Sequence, residues 1–180
     1  LLLTTGSLSD RYGRKGALQL GIVLFGIGSA AAAMSTSAEG LIATRAFMGI
    51  GGALIMPATL SILTNVFREP RERARAIAIW AGFSGLAVAL GPITGGILLE
   101  HFSWQSVFWV NIPIGATALL LGAFLVPTSR DPAQGRIDPL GAVLSFFGLA
   151  SLVFGIIEGP SKGWSDPMVV GAFAVAAVLL

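Results

Sequence analysis

Few side chains in this sequence can do chemistry, and their placement is unusual. Only 11% of its 180 residues are charged, while 54% are hydrophobic. Asp10, Arg11, Arg14 and Lys15 crowd into one run, GSLSDRYGRKGAL, which Gly6 and Gly13 punctuate and long apolar segments flank. A carboxylate set among three cations asks for a partner, either a nearby Arg or the positive end of a helix. Arg45 stands inside an apolar stretch, LIATRAFMGIGGALIMP. Bringing such a guanidinium into a bilayer costs at least about 2.5–3.5 kcal/mol on insertion scales, so it is usually paired, solvated or functional. The simpler reading for Arg45 is snorkelling to the outer headgroups. Catalysis has little to draw on. There is no Cys, which excludes disulfides, thiolate metal sites and Cys nucleophiles. His101 has no second metal-binding partner nearby and reads as a loop residue. We find no nucleophile–base pair and no phosphate-binding loop, and expect no enzyme, no metal and no cofactor.

The elements that must hold these residues are apolar helices. A soluble domain carries about 25% charge, and this chain falls well below that, with a mean hydropathy of +0.84. Five complete spans are expected at about 16–35, 40–65, 76–99, 105–127 and 138–157, with the tail of one before them (1–5) and the start of another after (167–180). All should be helices, because a backbone in lipid must satisfy its own hydrogen bonds. Thr36-Ser37-Ala38-Glu39 has capping-box spacing ahead of an apolar run. Pro70, Pro127, Pro132, Pro139, Pro160 and Pro167 fall in or beside the expected loops. The abrupt ends, Leu1-Leu2-Leu3 and Val178-Leu179-Leu180, read as those of an internal fragment.

Positive charge is sorted between alternate loops. Arg11, Arg14, Lys15, Arg68, Arg71, Arg73, Arg75, Arg130 and Arg136 fall in the loops at 6–15, 66–75 and 128–137, whereas those at 35–39, 100–104 and 158–166 hold only Lys162. The positive-inside rule places the first set in the cytoplasm. The basic stretch VFREPRERARA is offset by Glu69 and Glu72 and has no aromatic platform, so it reads as a topology anchor at anionic headgroups rather than a nucleic-acid patch.

Within the spans, Arg45, Gly49, Gly52 and Met56 recur at helical spacing and share a face, a guanidinium above a trough of glycines. Gly91-Pro92 interrupts the third span, removing one backbone hydrogen bond and kinking the helix. Gly91 and Gly95 form a GxxxG pair, which Gly85 and Gly96 extend into a small-residue surface. Taken one by one, these glycines serve close helix packing. Trp104 reads as an interfacial belt residue and Asn111 as an interhelical hydrogen-bond donor.

Four ordered strings resemble signatures of the major facilitator superfamily. Gly6, Leu8, Ser9, Asp10, Arg11, Gly13, Arg14 and Lys15 match G-x-L-(S/A)-D-R-x-G-R-(K/R), the loop between the family's second and third helices. The resemblance implies a cytoplasmic latch between two helical bundles, with Asp10 as its carboxylate and Arg14 as the supporting cation. Leu41, Arg45, Gly49, Gly51, Gly52 and Ala53 are similar to L-x-x-x-R-x-x-Q-G-x-G-(G/A)-A, in which the Arg is implicated in proton coupling; Met48 replaces the usual Gln. Gly91, Pro92, Gly95, Gly96 and Leu98 resemble the antiporter string of the fifth helix, which symporters generally lack. Trp104, Phe108, Asn111, Pro113 and Gly115 resemble a signature of the fourteen-span drug:proton antiporters, with Gln105 and Ser106 departing from its usual Arg and Trp. The short join after Pro127 and the Gly163-Trp164 pair fit the same branch.

The resemblance therefore implies an all-α, polytopic transmembrane bundle running from the end of the second helix into the eighth. Residues 1–127 would belong to the amino-terminal bundle, and 128–180 would form a cytoplasmic connector with the seventh and part of the eighth helix. The implied function is proton-coupled antiport that exports a small lipophilic or cationic substrate across a bacterial inner membrane by alternating access. Its partners would be the lipid bilayer, protons and that substrate, with no nucleic acid, and the transporter would be monomeric. The alternatives are a symporter or uniporter of the same fold, or a non-transporting membrane module. The latter has no reason to carry both Asp10 and Arg45.

Overall fold

The computed structural model describes residues 13–128 and 139–180, which are helical and contain no strand. Gly6, Asp10 and Arg11 of the expected latch, and most of the 128–137 loop, lie outside the described residues. The helices are α1 (Arg14–Ala33), α2 (Ala38–Val66), α3 (Pro70–His101), the short α4 (Ser106–Trp109), α5 (Asn111–Leu125), α6 (Pro139–Lys162) and α7 (Pro167–Leu179). Among the described residues, five spans are long and apolar enough to cross a membrane: α1, α2, α3, the stretch Ser106–Leu125, and Val143–Lys162 within α6. Large apolar side chains such as Phe83, Phe124 and Ile157 stand exposed along them, the inverse of a water-soluble surface.

The helix ends follow local chemistry. Gly13 opens α1 at φ 117°, where a residue with a Cβ is strained. The first turn of α2 is capped by Ser37, whose Oγ accepts from Gly40 N at 3.1 Å. The cap thus lies one residue beyond the Thr36–Glu39 pairing read from the sequence, because Ser37 takes the extended backbone that an N-cap requires. Glu69 caps α3, accepting from Arg71 N at 2.8 Å and Glu72 N at 3.1 Å, with Pro70 in the first turn. Asp166 does the same for α7 through Met168 N at 2.8 Å.

Several boundaries differ from the sequence reading. The basic residues Arg71, Arg73 and Arg75 sit on the first turns of α3 rather than in a loop, and Arg73 Nε donates to Phe67 O at the end of α2 (3.1 Å). Pro160 lies inside α6, which runs on to Lys162. Pro57 also sits within a helix, α2. His101 is the last residue of α3 rather than a loop residue, its Nδ1 3.1 Å from Ile97 O. The span expected at 105–127 is divided between α4 and α5. Pro113 has no N–H to offer the Trp109 carbonyl one turn back, so the helical ladder is interrupted there.

The described residues fall into two compact units, 13–128 and 139–180. In the first, α1 and α2 cross at Gly21 and Gly51. A Cβ on Gly51 would stand 2.6 Å from Phe25 N and 2.7 Å from Gly21 O, so only glycine permits this approach. One core cluster joins Leu18, Ile22 and Ala58 with Ala118 and Leu119 of α5, and another joins Ala32, Ala33, Met48 and Phe108. No residue of α3 is buried. In the second unit, α6 packs on α7: Trp164 lies over Gly159 and stacks on Phe173, with ring centroids 6.4 Å apart.

Candidate functional site

Ser29, Arg45, Phe108 and Asn111, from α1, α2, α4 and α5, are brought together in the first unit. Arg45 lies seven residues into α2, about 10 Å along the axis at 1.5 Å per residue. That is about two turns inside the helix. Its guanidinium sits over the Phe108 ring, Cζ to centroid 6.0 Å, a distance at which the cation meets the negative face of the ring. Among the described residues no carboxylate pairs with Arg45; the ion pair seen elsewhere, Lys162 with Glu158 at 3.0 Å, belongs to α6.

Phe108 is itself tightly held. It is 8% exposed and packs with Ala32, Ala33 and Met48. Trp104 meets it edge-on, centroids 6.1 Å apart and planes at 88°. Its carbonyl accepts from Ser29 Oγ at 2.8 Å, and Ser29 Oγ accepts in turn from Asn111 Nδ2 at 3.0 Å. Ser29 is completely buried. Asn111 therefore makes an interhelical hydrogen bond, and the sequence pointed to the donor but missed its partner. Ser29 sits in a run of small residues, GIGSAAAA, with nothing local to single it out.

Met48, at the position where the resembled signature carries Gln, points away from any polar contact. It fills the space against Gly28, whose added Cβ would stand 2.7 Å from the Met48 Cγ. Gly49 and Gly52, on the Arg45 side of α2, have no atom within 4 Å of an added Cβ. Met56, one turn further, is 53% exposed. The trough of glycines is present and open.

The other expected positions are not drawn into this constellation. Gly91, Gly95 and Gly96 also have nothing within 4 Å of an added Cβ, and Pro92 lies inside an uninterrupted α3. Thr94 Oγ1 donates to Leu90 O at 2.9 Å in the turn around that proline. Pro113 is exposed in the first turn of α5, its carbonyl accepting from Thr117 Oγ1 at 2.8 Å. Of the two departures from the branch signature, Ser106 Oγ contacts Leu98 O at 3.4 Å, and Gln105 Oε1 is buried without a partner. At the opposite end of the unit, Lys15 Nζ donates to Ala123 O at 2.6 Å. A cation thus meets one of the carbonyls left open at the C-terminus of α5. Arg14 begins α1 beside it in sequence.

This constellation is set in a chain whose whole length, residues 1–180, matches the family model for the Major Facilitator Superfamily. The chain belongs to that superfamily. As a major facilitator chain it is a multi-pass membrane protein, and its spanning helices are those of a transmembrane bundle. It is 46% identical over 178 residues to "Multidrug efflux pump LfrA" of Mycolicibacterium smegmatis, covering 99% of this chain and 35% of that protein. It is 39% identical to "Methylenomycin A resistance protein" of Bacillus subtilis, over 99% of this chain and 38% of the relative. A third relative, "Tetracenomycin C resistance and export protein" of Streptomyces glaucescens, is 37% identical over 99% of this chain and 33% of its own length. The chain thus spans about a third of the length of these major facilitator relatives.

Proposed function

We propose that this chain is part of a proton-coupled efflux transporter that exports drugs, dyes or secondary metabolites across the cytoplasmic membrane. The observation that carries the reading is Arg45: a guanidinium two turns inside a spanning helix, seated on an aromatic face above an open glycine trough, with no carboxylate partner among the described residues. A cation in that position is suited to act on a carboxylate that is protonated and deprotonated in turn, favouring its charged form. The names of the relatives, one an efflux pump and two of them resistance proteins, support export as the direction.

On this reading, residues 1–127 belong to the amino-terminal bundle, and 128–180 comprise the connector with the seventh and part of the eighth helix. Gly6, Asp10, Arg11, Gly13, Arg14 and Lys15 form the cytoplasmic latch, and the loops at 6–15, 66–75 and 128–137 face the cytoplasm. Gly91, Pro92, Gly95 and Gly96 offer an open surface for a second helix at the seal against proton leak. The working unit is a monomer, and it moves its substrate without chemical change.

Dye transport by the full-length protein in everted vesicles tests this. Uptake should require the proton gradient and be abolished in Arg45→Ala at equal expression. Uptake that persists when the gradient is collapsed, or flux in the opposite direction, would replace this reading with a uniporter or symporter.

A further inference from the structure

The residues that mark the fourth string and the Arg of the second lie far apart in sequence, yet they share one contact. Phe108 presents its ring to Arg45, with the Cζ 6.0 Å from the centroid. Three supports fix that ring. Trp104 abuts it at 88°, Met48, Ala32 and Ala33 enclose it, and the backbone carrying it is tied to α1 by Ser29 Oγ at 2.8 Å. Asn111 donates to the same Ser29 oxygen at 3.0 Å, so the first turn of α5 and the end of α4 are pinned to one buried hydroxyl. A long Arg side chain near the end of a span would ordinarily snorkel towards the headgroups. Here an aromatic face offers the exposed guanidinium a seat two turns down a spanning helix, within cation–π reach of the ring.

We propose that Phe108 is the positioning residue for Arg45, and that the Asn111–Ser29–Phe108 relay holds the ring in place. The inference rests on the coupling reading of Arg45 above. Phe108 touches neither proton nor substrate; it sets where the guanidinium stands relative to the carboxylate it acts on. The relay also links that placement to the α1–α5 contact. A movement that separates Asn111 from Ser29 loosens the seat.

The test uses the full-length transporter in lipid nanodiscs, with Arg isotopically labelled. The Arg45 Nε–H resonance, identified by its loss in Arg45→Lys, should carry a ring-current shift. Phe108→Leu should abolish that shift and Phe108→Tyr should keep it. In proteoliposomes, Phe108→Leu should move the pH profile of gradient-driven dye transport. Turnover should fall roughly three- to tenfold, the scale of one cation–π contact, with KM little changed and with rescue in Phe108→Tyr. Ser29→Ala leaves ring and guanidinium intact and should reduce the shift, so the idea stays testable if Phe108→Leu fails to fold. An Arg45 resonance indifferent to both Phe108→Leu and Ser29→Ala would overturn the seat. A lost shift with an unmoved pH profile would overturn its role in coupling. A wild-type transporter that ignores the proton gradient would instead sink the coupling reading, and the resonance would still report whether the seat exists.

Discussion

Ser29 is the residue on which most rests. Its hydroxyl is the hub between α1, α4 and α5, donating to the Phe108 carbonyl and accepting from the Asn111 amide. Hydrogen bonds between membrane helices contribute about 0.6 kcal/mol on average and up to about 1.7. Asn111→Leu removes one such bond but leaves Ser29 satisfied by Phe108, so it should cost about that much. Ser29→Ala removes both bonds at once, leaving the Asn111 amide only its 3.5 Å approach to Val107 O, so it should cost about twice as much. Thermal unfolding in detergent should therefore rank Ser29→Ala as the more destabilising. The reverse order would mean that Asn111 draws its strength from another partner. Asn111 itself was legible as a polar side chain in an apolar span. Ser29 was not, because a Ser among glycines and alanines is equally at home on any small-residue face.

At the scale of helices, the glycines of α2 divide into two sets that the sequence presents as one string. Gly51 meets α1 backbone to backbone, with Phe25 N 2.6 Å from the position of an added Cβ. Gly49, only two residues earlier, has nothing within 4 Å. Gly51→Val must push the helices apart and should lower the unfolding temperature. Gly49→Ala should fold normally and gain slightly in helix propensity, by about 1 kcal/mol at most. If Gly49→Ala then lost transport while keeping its fold, the open trough would be marked as a surface used during the transport cycle. The caps follow the same logic. The capping-box spacing marked the start of α2, but which residue of Thr36-Ser37 would cap it depended on the backbone angles at Ser37.

For the whole molecule, charge placement yields a prediction that needs no packing detail. These 180 residues contain no Cys, so a single reporter introduced among them is the one thiol of this stretch, and the transporter without the introduced Cys serves as the labelling control. Ala74→Cys, amid the Arg residues that open α3, should react with a membrane-impermeant thiol reagent only from the cytoplasmic side. Ser103→Cys, beyond the other end of α3, should react only from outside. Labelling of both from one side would contradict the span of α3, and swapped labelling would invert the bundle. The long apolar helices and the family signatures made the class readable before any coordinates, and the sorted cations set the orientation that this labelling checks.

The sequence by itself determined that the chain is helical, that it crosses the membrane several times, and which loops carry positive charge. These properties are additive along the chain: span length, hydropathy and Lys/Arg counts need no knowledge of neighbours. Only the tertiary structure decided which faces meet. It paired Asn111 with Ser29, Arg45 with Phe108, Lys15 with the Ala123 carbonyl and Gly51 with Gly21. In water, a helix announces its buried face by contrast with a polar one. In lipid both faces are apolar, so hydropathy cannot tell packing from exposure, and the choice falls to small-residue fit and a few hydrogen bonds made across distant parts of the sequence.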